Sequence, residues 1–332
     1  MIAKLQPNRV RRTYLGGNRI DAFTGKTSVR VDALPQPEDW LASTITAFNG
    51  ALEIEGEGLG RLEDGRFVKD VVGSLPILVK LLDSDERLVI QAHPTSTCAK
   101  RLFGSPVGKT ECWYFLDGTA EYACVYLGFK PGVTREFWED AVEQSNNQTI
   151  PQSNKLLSFL HRIPVKAGDF VFVDGGMPHA IGGGCFMVEL QEPSDLMVVA
   201  ERVTPSGRFI SDVKMHGGVG WAKMFDVYEY EGRTLEDTCA KYVRRPMDSR
   251  CDCICGPEFT DKFTMWRVMG SGKGVLSRDR AVAVVTGGNG AVNGLPVKKG
   301  DRLLIADDSH IDVSGDVALI VCACQDFIIS FR

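Results

Sequence analysis

The chain has 332 residues, 44% hydrophobic and 24% charged, the balance of a globular protein with room for two or three modest domains. Its formal net charge of −5 argues against a general nucleic-acid binder, and no apolar run approaches the roughly 18 residues that span a bilayer. Ten cysteines in so long a chain do not make the disulfide framework of a small secreted domain. Residues 1–7 lack the apolar core of a signal peptide, so the expected location is the cytoplasm.

Residues 1–75 are mixed. The run Tyr14-Leu15-Gly16-Gly17-Asn18-Arg19-Ile20 is expected to pack against a β-domain, and Glu63-Asp64-Gly65-Arg66 carries a turn signal. Residues 76–130 read as strands, with Leu88-Val89-Ile90 leading into Gln91 and Tyr122-Ala123-Cys124-Val125-Tyr126-Leu127 as a further β-rich run. The periodicity then changes. Thr134 is placed to cap an amphipathic helix through Phe137-Trp138 and Ala141-Val142, and Leu156-Leu157 with Leu160 predicts a second helix up to Pro164. Strands resume at once, so the helices read as an insertion over about 134–162.

Val165-Lys166-Ala167-Gly168-Asp169 is a tight turn feeding the apolar run Phe170-Val171-Phe172-Val173. The design recurs at Val297-Lys298-Lys299-Gly300-Asp301 before Leu303-Leu304-Ile305, which predicts two related β-domains, residues 1–235 and 236–332. In the second copy Asp308-Ser309-His310 stands where Met177-Pro178-His179 stands in the first, but no Gln-x-His precedes it, so His310 reads as a surface or loop residue. The glycine-rich run at His216-Gly217-Gly218-Val219-Gly220 lacks the preceding strand of a phosphate-cradling loop and reads as part of a linker. Cys124, Cys185, Cys322 and Cys324 sit in apolar runs as small buried hydrophobes. Cys251-Asp252-Cys253-Ile254-Cys255 reads as one face of a structural strand rather than a second metal site, since it has no CxxC partner pair.

Chemistry concentrates in the first domain. Gln91 and His93 are two apart, so on a strand both side chains reach one face. Glu111 opens an aromatic strand, and His179 comes from a distant third segment. One amide oxygen, two imidazoles and a carboxylate make a reasonable shell for zinc or a similar divalent ion with an open position. Lys109, two residues before Glu111, would place an ammonium beside that ion.

The run Pro76 to Leu82, Gln91-Ala92-His93-Pro94, Gly108-Lys109-Thr110-Glu111, Met177-Pro178-His179-Ala180 and Glu189-Leu190-Gln191-Glu192-Pro193-Ser194-Asp195 together resemble the type I phosphomannose isomerases. The similarity covers about residues 14–230. It implies a mostly β fold of two cupin or jelly-roll domains with a small helical insertion. It also implies a metal-dependent aldose–ketose isomerase acting on mannose 6-phosphate or a related sugar phosphate. By the same resemblance Gln91, His93, Glu111 and His179 hold the metal, Lys109 and Glu189 are acid/base candidates, and Lys80 lies near the substrate. The family's arginine, four residues after the Ser-Asp pair, falls on Val199 here, and its small hydroxyl residue two before the glutamine falls on Val89. Arg202, three residues past Val199, is the candidate substitute, with Arg208 a further cation. Oligomeric state is open. Two rivals stand beside this reading: a metal-binding cupin that binds a sugar without turning it over, and an iron cupin dioxygenase, against which the glutamine and Lys109 argue.

Overall fold

The computed structural model describes residues 1–26, 34–49, 54–146, 155–245, 249–276, 280–306, 310–324 and 329–331. Antiparallel strands dominate and form three sheets. A seven-stranded sheet runs, in spatial order, through Val243–Arg244, Phe170–Val173, Glu111–Phe115, Cys185–Gln191, Leu78–Ser84, Glu38–Leu41 and Arg9–Val10. A five-stranded sheet runs through Val198–Val199, Gln91–Ala92, His179–Ile181, Cys124–Phe129 and Leu160–Pro164. The third sheet has nine strands, and its backbone is Ile2–Lys4, Arg302–Ala306, Arg280–Val292, His310–Cys324, Phe263–Met269 and Cys251–Cys255. Among the described residues no helix is long and apolar enough to cross a membrane.

The division drawn at residue 235 is crossed in both directions. Ile2–Lys4 pairs with Arg302–Ala306 of the C-terminal sheet, and Val243–Arg244 pairs with Phe170–Val173 of the first. One hydrophobic core spans the junction, from Trp113 and Phe172 to Phe263, Met265, Leu304 and Ile320. Each such side chain, fully buried, contributes about 1.5–3 kcal/mol. The scaffold therefore does not depend on any single polar group in the site.

The repeated turn is the same in both copies. Lys166 N donates to Asp169 Oδ2 at 2.9 Å and Lys298 N to Asp301 Oδ2 at 3.0 Å. Gly168 and Gly300 hold φ at 87° and 90°, where a Cβ would be strained. Each turn feeds a buried strand, so the sequence repeat is a structural repeat. His310 is exposed at the start of its strand; Asp308 and Ser309 lie outside the described residues.

The insertion has its expected first helix, Arg135–Asn146, with Phe137 N bonded to Thr134 Oγ1 at 3.3 Å and Trp138 and Val142 buried. The second expected helix is a 3-10 turn, Lys155–Phe159, and Leu160–Pro164 is a strand paired with Cys124–Phe129. Alternation there, with His161 and Ile163 buried and Arg162 and Pro164 exposed, outweighs the leucine spacing. A helix also stands where only strands were expected: Ser96–Phe103, capped by Thr95 Oγ1 on Cys98 N and ended by left-handed Gly104. The three cysteines at 251, 253 and 255 form a strand as expected, but a register break between Cys253 and Cys255 removes their shared face.

Candidate functional site

The site lies between the seven- and five-stranded sheets, and strand register assembles it. Across the larger sheet, Trp113 opposes Glu189, Glu189 opposes Lys80, and Lys80 opposes Trp40. Directly opposed residues share a face, and residues two apart share it too. Glu111 and Glu38 therefore join this row, and one inner face carries Glu111, Glu189, Lys80 and Glu38. From the smaller sheet Gln91 and His179 are themselves opposed, and His93 follows Gln91 by two.

His93, Glu111 and His179 present ligand atoms within 4.8 Å of one another, all buried. Their orientation is set from behind. His93 Nδ1 lies 2.9 Å from Leu196 O and His179 Nδ1 lies 2.9 Å from Met177 O. Each carbonyl accepts only an N–H, so each Nδ1 carries the proton and each Nε2 turns a lone pair inward. Those Nε2 atoms lie 3.3 and 3.4 Å from the Glu111 carboxylate. A cation already stands at this focus. Lys109 Nζ lies 2.7 Å from His93 Nε2 and 2.9 Å from Glu111 Oε2. The Gln91 amide lies 3.2 Å from His179 Nε2, and its two ends differ little in shape, so a half-turn offers the oxygen instead. Two imidazole nitrogens, a carboxylate and an amide oxygen around a point that already holds positive charge fit a divalent metal, and the N/O set suits zinc.

The electrostatics agree with that fit. Burial, helped by Lys109, pushes His93 down, and burial takes His179 to about 3, so both rings are neutral near pH 7, the form in which an imidazole can ligate a metal. Burial opposes the Glu111 carboxylate, but Lys109 and the imidazoles hold it well below the usual range. Glu189 is the opposite case. Burial pushes its carboxyl up, and Lys80, bonded at 2.8 Å, pulls back only in part. Lys80 also lies 3.6 Å from Glu38, and the two carboxylates hold its ammonium above the ordinary range despite burial.

A cavity of about 590 Å³ opens onto this row, lined by Gln91, Lys109, Lys80 and Glu189, with His93, Glu111 and His179 buried behind. Val89 and Val199 line it too, so both departures from the family pattern fall on its wall. Arg202 does not join the others. It pairs with Asp212, lies 5.3 Å over Phe209 and 5.5 Å over Trp221, and lines a different cavity with Arg135. Just before it, Glu201 turns inward to bond Ile90 N at 2.5 Å and Arg87 at 2.7 Å. Arg208 is likewise absent from the lining.

Three charged lining residues escaped the sequence reading. Arg12 is buried against Glu38 at 3.0 Å and Asp195 at 3.1 Å. Glu38 gathers Tyr14 Oη at 2.8 Å and Trp40 Nε1 at 2.7 Å. Lys214 sits on the short helix Asp212–Met215. Arg12 and Lys214 lie in no periodic or motif-bearing stretch, and Glu38 falls in Pro37-Glu38-Asp39-Trp40, which reads as a helix start or loop in the sequence but is a strand, Glu38–Leu41. The doublet Arg11-Arg12 ahead of a β-like Tyr14 was the one available hint.

No family model matches the chain. In sequence, 136 residues, 41% of the chain, are 33% identical to a mannose-6-phosphate isomerase of Bacillus subtilis and cover 37% of that protein. A mannose-6-phosphate isomerase of Streptococcus mutans is 33% identical over 120 residues, 36% of this chain and 34% of its own length. These matches span little more than a third of the relatives' length. In structure, the mannose 6-phosphate isomerase from Bacillus subtilis superposes over 97% of this chain and 99% of its own, with a TM-score of 0.71 at 21% identity. The chain thus shares the fold of these phosphomannose isomerases along nearly its whole length and is similar to them in sequence over about two fifths of it. A further neighbour of the same fold, a mannose 6-phosphate isomerase bound with zinc and yttrium, has a TM-score of 0.71 at 14% identity, covering 98% of this chain and 99% of its own. The expected mostly β fold with a helical insertion is the one found, and it is the fold these neighbours share.

Proposed function

We propose that this phosphomannose isomerase relative is a zinc-dependent aldose–ketose isomerase that interconverts mannose 6-phosphate and fructose 6-phosphate or a closely related sugar-phosphate pair. The observation that carries the reading is the meeting of two neutral imidazole Nε2 atoms, the Glu111 carboxylate and Lys109 Nζ beside a pocket with a raised carboxyl, Glu189. A site that only held a sugar would have no need of an ammonium among its metal ligands or of a carboxyl poised to carry a proton.

The reaction moves one proton between carbons and one between oxygens. Glu189 takes the proton from C2 of the open-chain aldose, and the electron pair of that bond becomes the C1–C2 double bond of an enediolate as the negative charge passes to O1. Lys109 gives a proton to O1 and regains one from O2. Glu189 returns its proton to C1, leaving the carbonyl at C2. The raised carboxyl suits both halves of this exchange near neutral pH. Lys80 holds Glu189 in place at 2.8 Å. A bound divalent ion supplies positive charge near both oxygens without consuming a proton.

The test is turnover by metal-quantified protein on aldose 6-phosphates and free aldoses, with and without a chelator. The proposal expects ketose formation on an aldose phosphate, lost on chelation and restored by zinc. Stoichiometric zinc and tight sugar binding with no ketose from any substrate would favour the non-catalytic cupin instead.

A further inference from the structure

The pocket holds four cations, Arg12, Lys80, Lys109 and Lys214, and four carboxylates lie within or directly behind its wall, Glu38, Glu111, Glu189 and Asp195. Three of the cations are already matched. Lys109 is bonded to Glu111 at 2.9 Å, Lys80 to Glu189 at 2.8 Å, and Arg12 to Glu38 at 3.0 Å and Asp195 at 3.1 Å. A charge held by a buried carboxylate has little left for a ligand. Lys214 is different. Its Nζ forms no hydrogen bond or ion pair with any described residue, although it is half-buried and lines the cavity.

Position supports a role for it. Val199, Ile210 and Met197 line the same cavity and make that wall apolar, so Lys214 is the polar group there. Lys214 is held on its helix by Ser211, whose Oγ accepts from Lys214 N at 3.4 Å. Burial and the Arg12 guanidinium both press the Lys214 ammonium down, while Asp195 and Glu38 pull the other way. An unmatched, partly dehydrated ammonium is stabilised by an incoming anion more than a solvated lysine would be.

We propose that Lys214 is the anion-recognising residue of this pocket, binding the terminal phosphate monoester of the substrate. The inference rests on the sugar-phosphate reading above but assigns a residue that reading leaves open. It makes Lys214 a specificity-determining group: aldose phosphates are favoured over free aldoses through KM, with the chemistry beside the metal set left alone.

The deciding experiment titrates inorganic phosphate into the zinc-loaded full chain by calorimetry at fixed ionic strength. Wild type is compared with Lys214→Ala, Lys214→Arg and the exposed control Lys69→Ala. Phosphate binding should weaken tenfold or more in Lys214→Ala, recover to within threefold in Lys214→Arg, and be unchanged in Lys69→Ala. Phosphate held by the metal instead would be indifferent to Lys214, and equal affinity in wild type and Lys214→Ala overturns the assignment, as does a wild type that binds no phosphate. Steady-state kinetics separate this from the activity. For an aldose phosphate, Lys214→Ala should raise KM about tenfold with kcat within threefold. If no aldose phosphate is turned over by wild type, the isomerase reading falls while the phosphate titration still decides on Lys214. Intact isomerisation with unchanged KM in Lys214→Ala overturns the Lys214 assignment alone.

Discussion

Replacing Glu189 by Gln separates chemistry from scaffold. The amide keeps the volume and can still accept from Lys80, but it cannot take a proton. Loss of a positioned acid/base group costs about a hundredfold to ten-thousandfold in rate, so kcat should fall at least a hundredfold. Stability should fall less than the usual cost of breaking a buried pair, about 3–5 kcal/mol. Lys80 keeps Glu38 at 3.6 Å. In addition, burial already pushes the Glu189 carboxyl up, so its charged form is held at a penalty that the substitution relieves. We expect a loss of about 2 kcal/mol, the scale of a charged hydrogen bond, seen as a drop of several degrees in Tm with metal content unchanged. The assays are kcat on the zinc-loaded variant, elemental analysis and thermal unfolding, with Lys80→Met as a companion that perturbs the pair without removing the base. Turnover within threefold of wild type in a folded, metal-replete Glu189→Gln protein would refute the assignment of Glu189 as the proton carrier.

Wild type should hold about one zinc per chain, and His179→Ala should lose it with far-UV circular dichroism unchanged, because the aromatic and aliphatic core does not run through the ligands; elemental analysis of both proteins checks this. Arg202→Ala should change kcat/KM by less than about twofold and stability by less than about 1 kcal/mol, since its partner Asp212 is 57% exposed and exposed pairs contribute little; a tenfold loss of kcat/KM would bring Arg202 back to the pocket. Glu38 gives a pH prediction. Against burial, Arg12, Lys80 and the Trp40 N–H hold its carboxyl far below the ordinary value of about 4.3. A depressed carboxyl contributes stability that is fully present above the unfolded value and is lost as pH falls below it. The stability gap between wild type and Glu38→Gln, read by urea unfolding, should therefore be widest near pH 6 and shrink steadily towards pH 3; a gap independent of pH would contradict the buried ion network.

The parts of the site that could be read in the sequence are those with local spacing. Gln91 and His93 are legible because a strand puts alternate residues on one face. The paired turns at Asp169 and Asp301 are legible because each needs the same Lys-x-Gly-Asp chemistry, and the helix after Thr134 because its cap and its apolar face agree. Arg12, Glu38 and Lys214 were not legible, because only the register of distant strands and the path of a short helix bring them to one pocket. The pairing of Ile2–Lys4 with Arg302–Ala306 joins segments far apart in the sequence, a contact with no local signature. Arg202 shows the limit from the other side. Counting residues past a missing arginine gives a candidate, but spacing does not reveal the side to which it points.

The most direct test of the account is proton exchange at C2. Zinc-loaded protein is incubated with aldose 6-phosphates, mannose 6-phosphate among them, in deuterated water, and the recovered aldose and ketose are followed by NMR. The account predicts deuterium at C2 of the recovered aldose and at C1 of the ketose, even where net conversion is slow, and none of either in Glu189→Gln or after chelation. Unlabelled aldose phosphate with no ketose formed, from a folded, metal-replete wild type, would contradict the claim that this site moves a proton at all.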